Sequence, residues 1–202
     1  MQVMPCNFPT DFSDHFRYIC IGGHIGSVLL FSALGVSAQE NQFERQVVVE
    51  SLPVPDEPKQ LFYLQRDPDE NTVVYQLNAI NGTVDVSAPV NVYWIRYAEG
   101  GEQKKLNFIQ RTMAYGISHK QLENGDFKLH LAAYKSLPLW LTYREEHKKY
   151  VVLAEINGRD AILDRIFVRI NGGSALDPDI AYFELSGRDL KTDTPVRQRI
   201  KP

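Results

Sequence analysis

The sequence predicts a mainly β domain, an antiparallel β-sandwich or barrel of about eight strands with one short helix. Two observations predict this class. Apolar residues recur at every second position in several short runs, which is the period of a half-buried strand. Turn sequences such as Asn-Gly and Gly-Gly separate these runs, with no regular alternation of strand and helix patterns. An all-β architecture is therefore favoured over a parallel sheet built from βα units.

Each strand follows from its own alternation of apolar and polar positions. Val73, Tyr75 and Leu77 alternate with Val74 and Gln76, and later runs repeat this period. Asn157-Gly158 joins two apolar runs and is the strongest hairpin signal in the chain. In chain order the strand candidates are 47–49, at an edge, and then 73–77, 90–94, 127–131, 139–143, 150–156, 161–170 and 180–185.

One segment has a helical period. Leu106, Ile109 and Met113 recur at helical spacing, and Gly116 stands where a helix would stop. The pattern predicts a short helix over 104–113 that lies across the sheet or plugs one end. A strand stays open as the alternative, because Phe108 and Ile109 are adjacent and the run is brief.

The N-terminal 38 residues have the pattern of a signal peptide. The stretch 18–36 has no charged residue and leads into Val36-Ser37-Ala38, a cleavage-site pattern of small residues. The alternative is a membrane anchor, against which the glycines and His24 argue. Cleavage after Ala38 removes Cys6 and Cys20, the two cysteines of the chain, so no thiol is left for lipid attachment. We expect export to the periplasm or the medium, not as a lipoprotein, and no stable membrane span after cleavage.

The rest of the chain divides into three parts. Three prolines, Pro53, Pro55 and Pro58, predict an extended segment over 39–60. A single all-β domain is expected over 61–190. Charged residues and two prolines without an apolar period predict a flexible C-terminal tail over 191–202.

Composition and motif searches exclude several classes of function. Lys and Arg number 22 against 25 Asp and Glu, which gives no basic footprint for nucleic acid. None of the common hydrolase, metalloprotease or nucleotide-binding motifs is present. His119, His130 and His147 are far apart in sequence, so we expect neither a metal nor a cofactor.

Aromatic residues are abundant on and beside the predicted strands, where they line cavities as well as fill cores. We take Trp94, Arg96, Tyr115 and Trp140 as candidate ligand-binding residues. The function expected is a non-catalytic envelope protein that binds a small molecule, a glycan or a protein partner. The alternative is a hydrolase or isomerase whose site assembles from separated strands, such as His119 with Tyr115 and a carboxylate.

Five segments in this order resemble domain-of-unknown-function family 4833. They are NTVVYQLN (71–78), PVNVYWIRYAEGG (89–101), LNFIQRTMAYGI (106–117), INGRDAILDRIFVRI (156–170) and YFELSGRDL (182–190). The Tyr93-Trp94-Ile95 strand followed by the Ala114-Tyr115-Gly116 turn is the most distinctive part. The resemblance implies an exported protein of a kind found mainly in Bacteroidetes. It implies no activity, and no site residue is transferred from it.

Overall fold

Thirteen β-strands and two short helical turns form the part of the chain that the computed structural model describes, residues 52–174 and 178–202. A 3-10 turn covers Tyr97–Glu99, and a helical turn that begins at Phe108 continues as π-helix over Gln110–Ala114. The strands are β1 Gln60–Asp67, β2 Asp69–Leu77, β3 Ala79–Ile80, β4 Thr83–Val84, β5 Val90–Arg96, β6 Glu102–Lys105, β7 Ile117–Gln121, β8 Phe127–Leu131, β9 Leu139–Arg144, β10 Lys149–Ile156, β11 Arg159–Gly173, β12 Pro178–Asp189 and β13 Pro195–Ile200.

Eleven strands form one continuous sheet, in which nine follow each other in the order β6-β5-β2-β1-β11-β10-β9-β8-β7. Strand β11 is 15 residues long and organises the fold. Strand β12 pairs along almost all of it, so β10 and β1 must share its other edge. Strand β1 runs parallel to β11, whereas the other paired strands are antiparallel. Strand β13 extends the sheet beyond β12, and β3 with β4 forms a separate hairpin.

The sheet curls because its two outermost strands are neighbours in sequence. Strand β6 ends at Lys105 and β7 begins at Ile117, although they lie at opposite ends of the nine-strand order. The short connection between them has a limited reach, since an extended chain spans about 3.3–3.6 Å per residue and a helical one much less. The two edges therefore face each other across the segment 106–116, and the sheet is a half-barrel.

The mainly β class and the presence of one short helical segment are confirmed, but the strand count and the architecture differ from the prediction. Thirteen strands replace about eight, and the described residues contain neither a two-sheet sandwich nor a closed barrel. The helix predicted over 104–113 begins later, because Lys104 and Lys105 pair with β5 as part of strand β6. The helical turn starts at Phe108, where the connection leaves the sheet.

A capping box explains this start. The Asn107 side chain accepts a hydrogen bond from the Gln110 backbone N–H at 2.9 Å, and the Gln110 side chain accepts one from the Asn107 N–H at 3.0 Å. This reciprocal pair satisfies donors that the first turn of a helix leaves free. The last bond of the turn, from Tyr115 N–H to the Gln110 carbonyl, spans five residues and gives it π character.

The turn chemistry predicted from Asn-Gly pairs is confirmed at two hairpins. Asn157 and Gly158 both have positive φ, 54° and 73°, and connect β10 to β11 with Ile156 opposite Arg159. Asn81 and Gly82 do the same between β3 and β4, with φ of 52° and 83°. Two successive positive φ angles define the two-residue turn whose twist matches the flanking strands.

The flexible C-terminal tail predicted over 191–202 is wrong for most of its length. Pro195–Ile200 pairs with β12 as strand β13, in which Val196 and Ile200 are half-buried and Arg197 and Arg199 are exposed. Arg199 donates a hydrogen bond to the buried Glu184 at 2.6 Å, and Arg197 lies 3.5 Å from the same carboxylate. These ion pairs explain why a segment rich in charge adds an edge strand.

Before β1, the proline-rich segment crosses the outer face of β1, β2 and β5. The Pro53 carbonyl accepts a hydrogen bond at 2.7 Å from Gln65, and the Pro58 carbonyl accepts one at 2.7 Å from Gln76. The Glu57 carboxylate accepts a hydrogen bond from the Tyr93 hydroxyl at 3.2 Å. The predicted signal peptide 1–38 and edge strand 47–49 lie outside the described residues.

The core lies on the inner face of the curled sheet. Phe62 of β1 and Tyr75 of β2 are completely buried and stack with ring centroids 4.2 Å apart. Leu129, Leu139 and other alternating residues of β8, β9 and β10 pack in the same cluster. The Tyr75 hydroxyl donates a hydrogen bond to the Tyr115 carbonyl at 2.9 Å, which ties the segment 106–116 to the core.

We expect Gly116→Ala to destabilise the domain by about 1–3 kcal/mol, because the added methyl group overpacks a fixed site. A Cβ at this position would lie 1.9 Å from the Arg111 carbonyl oxygen, which belongs to the backbone of the helical turn. Urea unfolding followed by tryptophan fluorescence measures the change. Gly172→Ala is the matched control, since nothing lies within 4 Å of its Cβ position. Equal stabilities of the two variants would contradict this role of Gly116.

Candidate ligand-binding cavity

A cavity of about 820 Å³ opens on the inner face of the sheet, bounded by β1, β11, β12, the loop after β8 and the helical turn. Most of its wall is hydrocarbon. Strands β1, β11 and β12 contribute branched aliphatic side chains. Along β11 they occupy every second position, because alternate residues of a strand point to the same face. This wall is formed by Leu64, Ile166, Val168, Ile170, Ile180 and Leu185.

Aromatic rings complete the wall. Tyr134, in the loop between β8 and β9, stacks on Phe183 of β12 with ring centroids 5.0 Å apart and planes 10° from parallel. Trp94 and Tyr115 meet edge to face at 5.0 Å. All four rings line the cavity, so it combines aliphatic and aromatic surface.

Four lining residues in mutual contact, Arg66, Asp69, Trp94 and Tyr115, form what we call the polar cluster. The lining also includes the polar residues Asp67, Asn107, Gln110 and Ser174. The Arg66 guanidinium donates two hydrogen bonds to one Asp69 oxygen, at 2.6 and 3.1 Å. Its Cζ lies 5.4 Å from the centre of the Trp94 ring and 5.9 Å from that of Tyr115, within the range of cation–π attraction. The charges of Arg66 and Asp69 compensate each other, so the cluster is polar without a net charge.

The Tyr115 hydroxyl of the polar cluster is largely buried, which affects its protonation. Burial raises the pKa of the Tyr115 hydroxyl, and the nearby Arg66 opposes this increase only in part. The phenol is therefore neutral at physiological pH and serves as a hydrogen-bonding group, not as a base. The Trp94 indole N–H is buried and has no hydrogen-bond partner among the described residues.

The helical turn forms the rim of the cavity. Ile109 and Met113 line it, yet they are 53% and 61% exposed to solvent. Backbone hydrogen bonds from Ala132 to the Gly116 carbonyl and from Ala133 to the Ala114 carbonyl, at 2.8 and 3.2 Å, fasten this rim to the loop after β8. These bonds hold the C-terminal end of the rim, and the pairing of β6 with β5 holds its N-terminal end. The apolar side chains of the rim line the cavity and are also open to solvent.

The four residues named from sequence are found in three different places. Trp94 and Tyr115 line the cavity in mutual contact. Arg96, at the end of β5, forms an ion pair with Glu99 outside the cavity lining. Trp140 is half-buried on β9, on the face opposite to the buried Leu139 and Leu141, and does not line this cavity. The role of the four residues in ligand binding stays a prediction.

The residues of the catalytic alternative are not grouped around the cavity. His119 on β7 contacts the Val86 carbonyl at 3.1 Å and lies edge to face with Phe127, with ring centroids 6.1 Å apart. It is absent from the cavity lining, where Tyr115 lies beside Arg66 and Asp69. Within the described ranges, no group of three or more His, Cys, Asp or Glu side chains could hold a metal ion.

A second cavity of about 680 Å³ lies on the other side of the segment 106–116, between β5, β6 and β7. Asn91, Gln103, Lys104, Lys105 and Arg111 contribute to its lining, which makes it much more polar than the first. The segment 106–116 therefore separates an apolar cavity from a polar, cation-rich groove. Among the residues the structure describes, none belongs to a helix long and apolar enough to span a bilayer.

The sequence motifs missed the strand residues that form most of the cavity. Leu64 and Arg66 lie on β1, a strand that the alternation pattern did not predict. The sequence did contain one indication of the β1–β2 hairpin, the opposite charges of Arg66 and Asp69. These two residues are cross-strand partners in the structure, and opposite charges in such positions attract.

Comparison of the chain with known proteins identifies a protein family. No curated protein and no solved structure matches the chain. A family model described as a domain of unknown function, DUF4833, matches residues 62–199. This match includes β2 to β12 and most of β1 and β13. The chain therefore belongs to the DUF4833 family.

Proposed function

We propose that the domain binds a small ligand with a mainly hydrocarbon body in the cavity formed by β1, β11, β12 and the helical turn. The observation that carries this proposal is a volume of about 820 Å³ combined with an aliphatic and aromatic wall. Small-molecule sites are typically apolar clefts of roughly 300–1,000 Å³ with a few polar groups. Transfer of hydrocarbon from water to such a wall supplies the driving force, about 25 cal/mol per Å² of buried apolar surface.

The wall favours a hydrocarbon ligand over a glycan. A sugar presents hydroxyl groups over its whole surface, and each hydroxyl that loses water without a new hydrogen bond is costly. Ile166, Val168 and Ile180 offer no such partners. The polar cluster, with Arg66, Asp69 and Tyr115, serves one polar end of a ligand and not a ring of hydroxyl groups.

We also propose that the cavity binds its ligand without catalysing a reaction. In the polar cluster Asp69 is held by two hydrogen bonds from Arg66, and burial raises the pKa of Tyr115. A general base needs a pKa near the working pH and a free lone pair. Tyr115 does not meet the first condition, because burial raises its pKa further above neutrality. The Asp69 carboxylate already accepts hydrogen bonds from Arg66 and from the Asn71 N–H, so the cluster is suited to orienting a ligand. We further propose that the domain acts outside the cytoplasm after cleavage at Ala38, on the strength of the apolar leader.

The test uses the two tryptophans of the chain, of which Trp94 lines the cavity and Trp140 does not. In a Trp140→Phe variant, Trp94 is the only tryptophan. Titration with dodecanol, which does not absorb near the indole band, should change the Trp94 emission in a saturable way. We expect a Kd on the order of micromolar, because a chain of this size buries most of its surface.

The matched control is Trp94→Phe, in which Trp140 reports from the opposite face of β9. Its emission should stay constant at dodecanol concentrations that saturate the first variant. Dodecanoate and dodecylamine in parallel titrations show whether the polar cluster prefers an anionic, neutral or cationic end. A Trp94 emission that does not respond to any of the three amphiphiles would overturn the proposed function.

A further inference from the structure

The helical turn at the rim presents the densest group of exposed apolar side chains in the described chain. Phe108 is 80% exposed, Met113 61% and Ile109 53%. The remaining large exposed hydrophobic residues of the described ranges, Val54, Ile80, Val86 and Tyr143, belong to other elements. Clustered exposed apolar residues on a soluble surface mark a contact with a partner or a membrane.

These side chains are held outward by a rigid support. The Asn107–Gln110 capping box fixes the first turn, and the Thr112 hydroxyl donates a hydrogen bond to the Phe108 carbonyl at 2.9 Å. The last residues of the segment are bonded to the core through Tyr75 and to the loop after β8. These bonds fix the backbone from which the exposed Phe108 side chain projects.

The charge around the turn differs from that of the whole chain. The formal net charge of the chain is −3, yet the stretch 103–122 contains no Asp or Glu. It contains four basic residues, Lys104, Lys105, Arg111 and Lys120. Lys104 is paired with Glu99 and Glu102, whereas Lys105 and Arg111 lie beside the turn without a carboxylate partner in the described ranges.

We propose that this turn docks onto an anionic lipid membrane, with Phe108, Ile109 and Met113 inserted among the lipids and Lys105 and Arg111 against the headgroups. Apolar side chains next to basic ones are the signature of interfacial membrane binding, in which burial of apolar area and attraction to anionic lipid act together. Because Ile109 and Met113 also line the cavity, docking places the cavity rim at the lipid phase. A hydrocarbon ligand then passes between membrane and cavity without crossing water.

The shape of the surface favours a membrane over a protein partner or a second copy of the chain. Three side chains from one helical turn protrude and are too few for a stable protein interface, which buries about 800 Å² per partner. A protein partner would also need a pocket complementary to this protrusion, whereas a fluid lipid surface adapts to it. Docking extends the proposed function but does not depend on it, since it rests on exposed residues and charge alone.

Sedimentation with lipid vesicles tests the proposal. The chain that cleavage after Ala38 leaves, residues 39–202, is used for every variant, since the apolar stretch 18–36 would itself bind lipid. It is mixed with vesicles of phosphatidylcholine alone or with phosphatidylglycerol. We expect binding that is stronger on the anionic vesicles and that Phe108→Ser weakens by about tenfold, as expected for the loss of one buried aromatic side chain. Phe108 is not part of the cavity lining, so dodecanol binding should be unchanged. Ile80→Ser, at a residue 67% exposed on the β3–β4 hairpin, is the matched control and should bind vesicles as the wild type does.

A charge variant tests the second half of the proposal. Lys105→Gln combined with Arg111→Gln should weaken binding to the anionic vesicles roughly tenfold or more and leave binding to phosphatidylcholine unchanged. Equal vesicle binding by wild type and Phe108→Ser would overturn docking, and so would a dimer in light scattering that Phe108→Ser dissolves. If vesicle binding is absent while dodecanol still changes the Trp94 emission, docking is wrong and the proposed ligand binding stands. If vesicle binding is intact while dodecanol leaves the Trp94 emission unchanged, docking stands and the proposed ligand binding is wrong.

Discussion

Replacing Asp67 with asparagine is expected to lower the free energy of unfolding by about 3 kcal/mol or more, one of the two largest effects that we expect. The Asp67 carboxylate forms an ion pair with Arg169, and their side chains are 10% and 11% exposed. The two residues face each other where the parallel strands β1 and β11 pair. Removing one charge leaves the other buried and uncompensated, which typically costs about 3–5 kcal/mol. Urea unfolding monitored by tryptophan fluorescence measures the loss.

Two further variants separate the ion pair from a general effect of losing a carboxylate. Asp69→Asn breaks the pair with Arg66, whose side chains are 23% and 35% exposed, and should cost about 1 kcal/mol or less. Asp67→Asn combined with Arg169→Met removes both charges and should recover most of the stability, because no unpaired charge is left. A double variant as unstable as Asp67→Asn would show that the pair itself is not the cause.

Strand β1 illustrates why the sequence predicted the class of the fold but not its topology. The alternation of apolar and polar residues identified strands that have one face exposed to solvent. In β8, Phe127, Leu129 and Leu131 are buried, whereas the residues between them are not. Strand β1 is covered on both faces, by the core inside and by the proline-rich segment outside, so its buried residues do not alternate. Its Gln65 is 1% exposed and satisfied by hydrogen bonds to Pro53 and Thr72. Because glutamine is mostly found at the surface, the burial of Gln65 could not be predicted from the sequence.

The parallel pairing of β1 with β11 has no local signal at all. Tyr63 lies opposite Arg165, about a hundred positions later in the chain, and no turn joins the two strands. Hairpins such as Asn157-Gly158 were predictable because the turn itself selects the partner strand. A pair that forms only when the whole sheet assembles depends on long-range packing, which composition and periodicity do not encode.

The candidate site, like the fold, was predicted only in part from the sequence. Trp94 and Tyr115 stood out in the sequence as aromatic residues near strands, and the structure places their rings in contact in the cavity wall. Ile109 and Met113 have the spacing of a buried helical face, yet they are exposed because the turn spans the gap between β6 and β7 instead of lying on the sheet. Leu106 alone of that apolar set is buried. A periodic pattern indicates which residues share a face, but not what the face contacts.

Ile180→Asp should reduce dodecanol binding by more than about 100-fold, the largest functional effect that we expect. Ile180 lies on β12 opposite Ile170, and both side chains line the cavity. When the hydrocarbon chain binds, an ionised carboxylate at this position is desolvated and gains no hydrogen-bond partner. This desolvation costs several kcal/mol of binding free energy. Since tenfold in affinity corresponds to about 1.4 kcal/mol, a loss of two orders of magnitude or more follows. Trp94 emission in the Trp140→Phe background reports the binding.

This substitution can be made without destroying the fold, because Ile180 is only half-buried in the free protein and water reaches the new carboxylate there. Ile180→Asn carries a similar volume without the charge and should bind dodecanol more weakly than the wild type but more tightly than Ile180→Asp. The order of the three affinities follows from desolvation. The free energy needed to desolvate a carboxylate is larger than that for an amide, which is larger than that for an alkyl group. Equal affinity of Ile180→Asp and the wild type would place the hydrocarbon chain outside this cavity.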